Sequence, residues 1–156
     1  MSESAIRIDV VSDVVCPWCF VGKRQLEQAL ERWQHDHPDQ PVEVRWHPFQ
    51  LNPDLPPEGM SRSDYLAGKF GSADTSRIYA NVQRAASAVQ LPLAIESIAR
   101  QPNTLRAHAL VDLAPDAATQ DALVEALFAA YFQQGCDLTD TAELRRIAGE
   151  IGRAHV

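Results

Sequence analysis

The first third of the chain alternates between apolar and polar positions in two places and has a helical repeat between them. Residues 6–11 and 42–46 alternate with a period of two, which predicts two β-strands. Between them, apolar residues recur at helical spacing from residue 17 to about residue 35, which predicts one long helix. A strand, a helix and a strand in this order predict a βαβ unit with parallel strands and a right-handed crossover.

Beyond this unit the pattern changes to apolar stripes at helical spacing. A turn-rich stretch at 49–57 predicts a loop, and everything after it is predicted to be helical. The stripes are Ile78, Val82, Ala85 and Val89; Leu105, Ala109, Leu110 and Leu113; Leu123, Leu127, Ala130 and Tyr131; and Leu144, Ile147 and Ile151. The first three helices are predicted to stop near Pro92, before Pro115 and at Gly135. The last is predicted to open with Asp140 and Glu143, a pair typical of a capping box.

This layout leaves the predicted sheet incomplete. An isolated pair of strands is marginally stable, and the helical region adds no strand that the pattern can identify. We therefore expect either that another chain completes the sheet or that the sequence is the front part of a longer protein.

Composition and charge narrow the class of protein. With 156 residues, 46% hydrophobic and 22% charged, the sequence is typical of a single globular domain with a core. The formal net charge of −7 argues against a nucleic-acid or anionic-membrane partner. No secretory signal and no apolar stretch of about 18 residues is present, so we expect a cytoplasmic protein. Three cysteines are too few for a disulfide framework.

The most informative motif is Cys16-Pro17-Trp18-Cys19, which lies where the first strand ends and the long helix begins. Pro17 is suited to the first helical position, where its missing N–H costs nothing. Free N–H groups and the helix dipole favour an anion at this end of a helix, so we expect an exposed Cys16 with a lowered pKa. Cys19, one turn further on, is expected to resolve mixed disulfides, while Trp18 shields the sulfurs or contacts substrate.

Other interpretations of these residues stay open at this stage. Zinc takes four ligands in structural sites, but Cys136 stands alone, and His35, His37 and His47 lie at the far end of the first helix or on the next strand. A degenerate or purely structural pair is a further alternative. Cys136 is most simply a turn cysteine, and His108 a partly exposed helix residue. Lys23 and Arg24 either assist the thiolate or belong to a solvated helix face.

The segment 12–23 resembles the DsbA-like thioredoxin-fold family. It is most similar to the FrnE-type branch, which also includes 2-hydroxychromene-2-carboxylate isomerases and kappa-class glutathione transferases. Further segments that resemble this branch, in the same order, are 46–53, 69–71, 103–108 and 127–132. The resemblance runs from about residue 5 to about residue 150.

The resemblance implies an α/β protein with a thioredoxin-like fold and a large α-helical insertion. Residues 1–53 would form the N-terminal βαβ part and residues 54–150 the insertion. It implies thiol–disulfide exchange at Cys16 and Cys19, with the segment from Asn103 to His108 packed over the active site. The isomerases and transferases of this branch carry serine at the position of Cys16, so two cysteines favour disulfide exchange.

The chain departs from the family pattern at its end. The family continues to a Gly-Val-Pro-Thr-like segment with a cis-proline beside the cysteines, then to two strands and a helix, and none of these is found in this sequence. Residues 151–156 do not resemble the family and are expected to be non-native. We therefore expect the C-terminal strands and helix to be missing, with low stability, weak activity and self-association through an open sheet edge.

Taken together, these observations predict a cytoplasmic dithiol–disulfide oxidoreductase that acts on protein or small-molecule thiols and disulfides. It is expected to need no metal or organic cofactor, with glutathione as a candidate redox partner. One alternative is a glutathione-dependent isomerase or transferase. The other is a non-catalytic metal-binding or interaction module in which the pair is structural.

Overall fold

A parallel pair of strands with one crossover helix forms the N-terminal part of the computed structural model, which describes residues 4–72 and 74–154, the last two by their backbone alone. Strands β1 (Ile6–Ser12) and β2 (Val42–Pro48) pair in register from Ile6 with Val42 to Ser12 with Pro48. Helix α1 (Pro17–Asp36) connects them. The predicted βαβ unit is confirmed.

The rest of the described chain is mainly helical. Its elements are β3 (Met60–Ser61), α2 (Arg62–Phe70), α3 (Thr75–Ile78), α4 (Ala80–Ala88), a 3-10 turn (Ile95–Ser97), β4 (Arg100–Gln101), α5 (Leu105–Asp112), α6 (Ala117–Phe132) and α7 (Thr141–Ala154). The four predicted helices are present, although the first is divided into α3 and α4 at Tyr79. The start of α7 is confirmed by the Asp140 carboxylate, which accepts from the Ala142 N–H at 2.8 Å.

The expectation that everything after the loop is helical is wrong in one place. Strands β3 and β4 pair antiparallel over two residues each, a length too short to show any alternation in the sequence. Gly59, with φ +68°, precedes this pair, and a Cβ there would lie 2.3 Å from the carbonyl oxygen of Gln101. Only glycine permits this close approach of the two backbones.

Helix α6 organises the core. Its residues Leu127, Phe128, Tyr131 and Phe132 are fully buried, and it contacts α1, α5, α7 and β2. The ring of Phe20 on α1 stacks on Phe128 with centroids 4.9 Å apart. A fully buried phenylalanine contributes about 1.5–3 kcal/mol, and a favourable ring pair about 0.5–1.5 kcal/mol more. The α1–α6 contact therefore joins the helical region to the βαβ unit through one continuous core.

The edge of β2 that faces away from β1 is covered by a side chain. The amide of Gln120 on α6 accepts from the Trp46 N–H at 2.8 Å and donates to the Trp46 carbonyl at 3.2 Å. The indole N–H of Trp46 donates to Asp121 at 2.9 Å. Gln120 thus takes the place of a neighbouring strand at this point. Within the described residues, no strand pairs with the opposite edge of β1.

Lys23 of α1 is buried with an exposed fraction of 2%, so the interpretation that it belongs to a solvated helix face is wrong. Its ammonium contacts Glu27 at 2.5 Å, Glu125 at 3.0 Å and Asp121 at 3.4 Å. Arg24 joins the same cluster and contacts Glu125 at 2.6 Å. These ion pairs hold α1 to α6, and neither cation belongs to a freely solvated helix face.

Replacement of Lys23 by methionine should destabilise the fold because it leaves three neighbouring carboxylates without their shared cation. Their side chains are 33–44% exposed, so we expect a loss of about 2 kcal/mol rather than the 3–5 typical of fully buried pairs. Urea unfolding followed by circular dichroism measures it. The matched control is Arg146→Met on exposed α7, whose solvent-exposed pairs with Glu143 and Glu150 should contribute much less. Equal decreases in the free energy of unfolding for the two variants would contradict a special stabilising role for the ion pairs of Lys23.

Candidate active site

The Cys-Pro-Trp-Cys motif forms the junction between β1 and α1, as predicted. Cys16 is the N-cap residue of α1 with extended backbone angles, and Pro17 occupies the first helical turn. The backbone N–H of Cys16 donates to the Asp13 carbonyl at 3.0 Å, which closes the turn after β1. The Cys19 N–H donates to the Cys16 sulfur at 3.3 Å. Cys16 thus caps the helix with its sulfur, in the place where serine or aspartate usually acts.

The two thiols are free, half-buried and coupled by a hydrogen bond between their side chains. The Cys16 thiol, followed by the Ser12 hydroxyl, lowers the pKa of Cys19 to about 6 against the opposing effect of burial. The same sulfur–sulfur hydrogen bond, together with burial, raises the pKa of Cys16. Within this pair the sulfur contact and burial oppose the lowered pKa expected of Cys16, and its thiol is half-buried rather than exposed. The backbone N–H groups of Trp18 and Cys19 do lower this pKa, but they are outweighed.

The two cysteines lie on different cavities. Cys16 lines a cavity of about 320 Å³, named here the Cys16 cavity. Its wall includes Trp18, Leu51, Asn52, Arg62, Tyr65 and Lys69. Cys19 lines a separate groove with Ser12 and Trp46. Trp18 is 54% exposed and lines the Cys16 cavity, so a molecule in this cavity would contact its side chain.

A buried acid and a buried histidine lie directly behind the motif. Asp13 is 2% exposed, and its carboxylate contacts Nε2 of His108 at 3.1 Å and accepts from the Leu51 N–H at 2.8 Å. The same Nε2 lies 3.1 Å from the Phe49 carbonyl, which can only accept, so Nε2 carries a proton. His108 is 7% exposed, and the expectation of a partly exposed helix residue is wrong. Sequence reasoning missed Asp13, whose only signal is its place between β1 and the motif.

Asn103 supports the loop after β2 and does not contact the cysteines. Its side-chain oxygen accepts from Gln50 at 3.1 Å, and its amide nitrogen donates to the Leu55 carbonyl at 2.7 Å. Residues 51 and 52 of this loop line the Cys16 cavity. Asn103 and His108 therefore shape the loop that forms one wall of the site.

The remaining expectations concern features other than the motif and its neighbours. Cys136 is half-buried in the turn after α6, where burial raises its pKa, and this is typical of an unreactive thiol. In the described part of the chain, no group of three His, Cys, Asp or Glu side chains is arranged to hold a metal ion. No helix in residues 4–72 or 74–154 is long and apolar enough to cross a membrane. The atypical segment 151–156 lies partly outside the described residues.

The coupled pair should give Cys19 a pH-dependent reactivity. Because its thiolate forms above a pKa of about 6, alkylation of Cys19 in the reduced chain should rise with pH and reach its midpoint near 6. Cys16→Ala removes the hydrogen-bond donor and should move the midpoint upward. Peptide mass mapping after pulses of iodoacetamide measures both, with Cys136 as the internal slow thiol. A midpoint that stays fixed in Cys16→Ala would contradict the coupling.

Loss of the His108 side chain should destabilise the chain. Replacement by alanine leaves the Asp13 carboxylate and the Phe49 carbonyl without the donor that they share. A buried group without a partner costs about 1–3 kcal/mol, so we expect a decrease of about 2 kcal/mol in urea unfolding. His35→Ala, at an exposed position of α1, should stay within about 0.5 kcal/mol of the parent. Similar values for the two variants would show that the buried contact is not stabilising.

Comparison with known proteins places this architecture in a family. The chain is 29% identical over 147 residues to uncharacterized protein YwbO of Bacillus subtilis (strain 168), covering 94% of this chain and 66% of that protein. A probable DsbA oxidoreductase, SCO1869 of Streptomyces coelicolor, superposes with a TM-score of 0.78 at 28% identity, covering 94% of this chain and 63% of the other. The chain thus spans slightly less than two thirds of the length of these relatives.

The structure of a 2-hydroxychromene-2-carboxylate isomerase superposes with a TM-score of 0.62 at 15% identity, covering 94% of this chain and 66% of the other, and shows the shared fold alone. These matches confirm the thioredoxin-like fold that the resemblance implied. The sequence model of the DSBA-like thioredoxin domain matches residues 7–155. The chain therefore belongs to the DSBA-like thioredoxin domain family.

Proposed function

We propose that the chain carries out thiol–disulfide exchange through Cys16 and Cys19. The observation that carries this proposal is the pair of free thiols at the start of α1, where the Cys19 N–H donates to the Cys16 sulfur and Cys16 lines an open cavity. A thiolate is the nucleophile in such exchange, and the coupled pair supplies one near neutral pH. The family membership and the oxidoreductase title of the Streptomyces relative support it.

Each sulfur has a separate task in this proposal. Cys16 lies on the cavity that a substrate disulfide can enter, and Cys19 holds the negative charge of the reduced pair. As the Cys16 sulfur attacks one substrate sulfur, its proton passes to the Cys19 thiolate along the hydrogen bond between them. The substrate S–S bond breaks, a mixed disulfide forms at Cys16, and the first substrate thiolate leaves.

The second step completes the exchange. Cys19 loses its proton to solvent or to the departing thiolate and attacks the Cys16 sulfur. The Cys16–Cys19 disulfide forms, the mixed disulfide breaks, and the second substrate thiol leaves. The chain has then lost two electrons and the substrate has gained them, and the reverse sequence oxidises a dithiol substrate. Proteins and small molecules that carry thiols or disulfides are the proposed partners.

A glutathione-dependent isomerase or transferase is the second candidate. Its supporting observation is the superposition on the isomerase structure, together with a cavity beside Cys16 large enough for a small ligand. Such an activity would need one sulfur at most and would survive Cys19→Ser. Disulfide exchange needs both sulfurs, so the two candidates separate on this variant.

A thiol-trapping titration of the full chain across glutathione redox buffers tests the proposal. Two thiols should disappear together and reversibly as the buffer becomes more oxidising, and peptide mapping should assign them to Cys16 and Cys19. Cys136→Ser should leave the titration unchanged, since that thiol lies in a distant turn and plays no part in the exchange.

Several results would contradict disulfide exchange through this pair. A pair that stays reduced in every buffer, or a native mass that includes one bound zinc per chain, would refute disulfide exchange and favour the structural alternative. Cys16→Ser should abolish the two-thiol transition and leave only mixed disulfides with glutathione at Cys19. Retention of a two-thiol transition in that variant would assign the redox pair to other residues.

A further inference from the structure

Arg62 is a buried cation on the wall of the Cys16 cavity. It occupies the first position of α2, and its side chain is 5% exposed. Its guanidinium donates to the Gln101 side-chain oxygen, to the Tyr131 hydroxyl at 3.0 Å and to the Tyr79 hydroxyl at 2.5 Å. All of these partners are uncharged groups. Burial raises the pKa of Tyr79 and of Tyr131, so both phenols stay protonated.

The positive charge of Arg62 has no carboxylate partner within ion-pair distance in the described part of the chain. The buried Lys23, by contrast, contacts three carboxylates. In the described part of the chain, the buried Arg62 Nε atom has no hydrogen-bond partner either. A buried charge is costly unless it is paired. Because Arg62 lines the Cys16 cavity, its unpaired charge favours an anion there.

A second cation lies on the same wall. Lys69 is two helical turns beyond Arg62 on α2, so the two project from the same side of the helix, and both line the Cys16 cavity. The Lys69 ammonium donates to the Tyr65 hydroxyl at 3.1 Å, between the two cations. No aspartate or glutamate lines this cavity. A cationic cavity is unusual in a chain with a formal net charge of −7.

From this geometry we infer that the Cys16 cavity is a carboxylate-binding subsite, in which Arg62 and Lys69 select disulfide substrates that carry a negative charge close to the sulfur. The inference rests on the exchange reaction proposed at Cys16 and Cys19, and adds to it the class of substrate. A cavity of about 320 Å³ holds a ligand of small-molecule size or a few residues of a peptide. Trp18 and Phe70 supply an apolar rim for the uncharged part of the ligand.

Three small disulfides that differ in charge test the inference. The reagents are 3,3′-dithiodipropionate, which is dianionic, bis(2-hydroxyethyl) disulfide, which is neutral, and cystamine, which is dicationic. The second-order rate constant for oxidation of the reduced chain is measured for each and divided by that for dithiothreitol, which corrects for intrinsic reactivity. The normalised rate should be about tenfold to a hundredfold higher for the dianion than for the neutral reagent, the range expected of charge-assisted hydrogen bonds. Cystamine should react most slowly.

Variants assign the preference to the two cations. Lys69→Gln at its exposed position should lower the ratio of dianion to neutral rates severalfold, and Arg62→Gln should lower it further. Arg62→Lys keeps the charge and should retain part of the ratio, which covers the case in which Arg62→Gln does not fold. Arg146→Gln, on the distant helix α7, is the control and should leave the ratio unchanged. Added salt should lower the ratio in the parent chain, because it screens charge attraction.

The outcomes separate the inference from the proposed function. Oxidation of the Cys16–Cys19 pair by all three reagents at equal normalised rates, or a ratio unaffected by Lys69→Gln and Arg62→Gln, would overturn the subsite and leave the exchange reaction intact. Failure of every reagent to oxidise the pair would refute the exchange reaction itself. Peptide disulfides flanked by glutamate or by lysine form a second arm. A larger charge preference with the peptides would identify a protein segment as the source of the carboxylate, and a larger one with the free reagents a small molecule.

Discussion

The packing of α6 against α1 and β2 is the contact on which the remainder of the structure depends. A parallel pair of strands with one helix has too little apolar surface to be stable alone. Helix α6 supplies that surface, because its residues Phe128, Tyr131 and Phe132 are fully buried and two of them stack with Phe20. The start of α1, and with it the cysteine pair, is therefore held in place by a helix more than a hundred residues further along the chain.

Charged side chains are distributed unevenly around the contact of α6 with α1 and β2. Carboxylates concentrate where α1 meets α6, and there they surround Lys23. The wall of the Cys16 cavity, by contrast, contains cations and no carboxylate. Behind the motif lies Asp13, a buried carboxylate held by His108 and by the backbone of Leu51. The loop around the motif is thus fixed by buried hydrogen bonds to one carboxylate, while the cavity beside it carries positive charge only.

The elements that could be predicted from the sequence are those with a local signal. The alternation of β1 and β2, the long repeat of α1 and the place of Cys16 at the helix start depend on neighbouring residues only. The contacts that were missed join distant parts of the chain: His108 lies 95 positions after Asp13, and Asp121 lies 98 positions after Lys23. Composition alone places charged side chains at the surface, so the burial of Lys23 and Arg62 could not be predicted.

The difference between local signals and long-range contacts also explains how much of the ionisation of the motif could be predicted. The helix start correctly predicts that backbone N–H groups reach the Cys16 sulfur. Which sulfur holds the negative charge, however, depends on burial and on the direction of one hydrogen bond, and the sequence does not specify either. Similarly, the two-residue strands β3 and β4 leave no periodicity, although the glycine that their close approach requires is visible in the sequence.

The side chain of Gln120 limits how this sheet can grow. Because its amide occupies the backbone groups of Trp46, a further strand cannot pair with β2 at this residue, whereas no such cover is seen on the outer edge of β1 in the described residues. Any further strand, from this chain or from another, would meet free backbone groups at the outer edge of β1 and occupied ones at Trp46. One glutamine amide thus gives the two sides of this strand pair different capacities for extension.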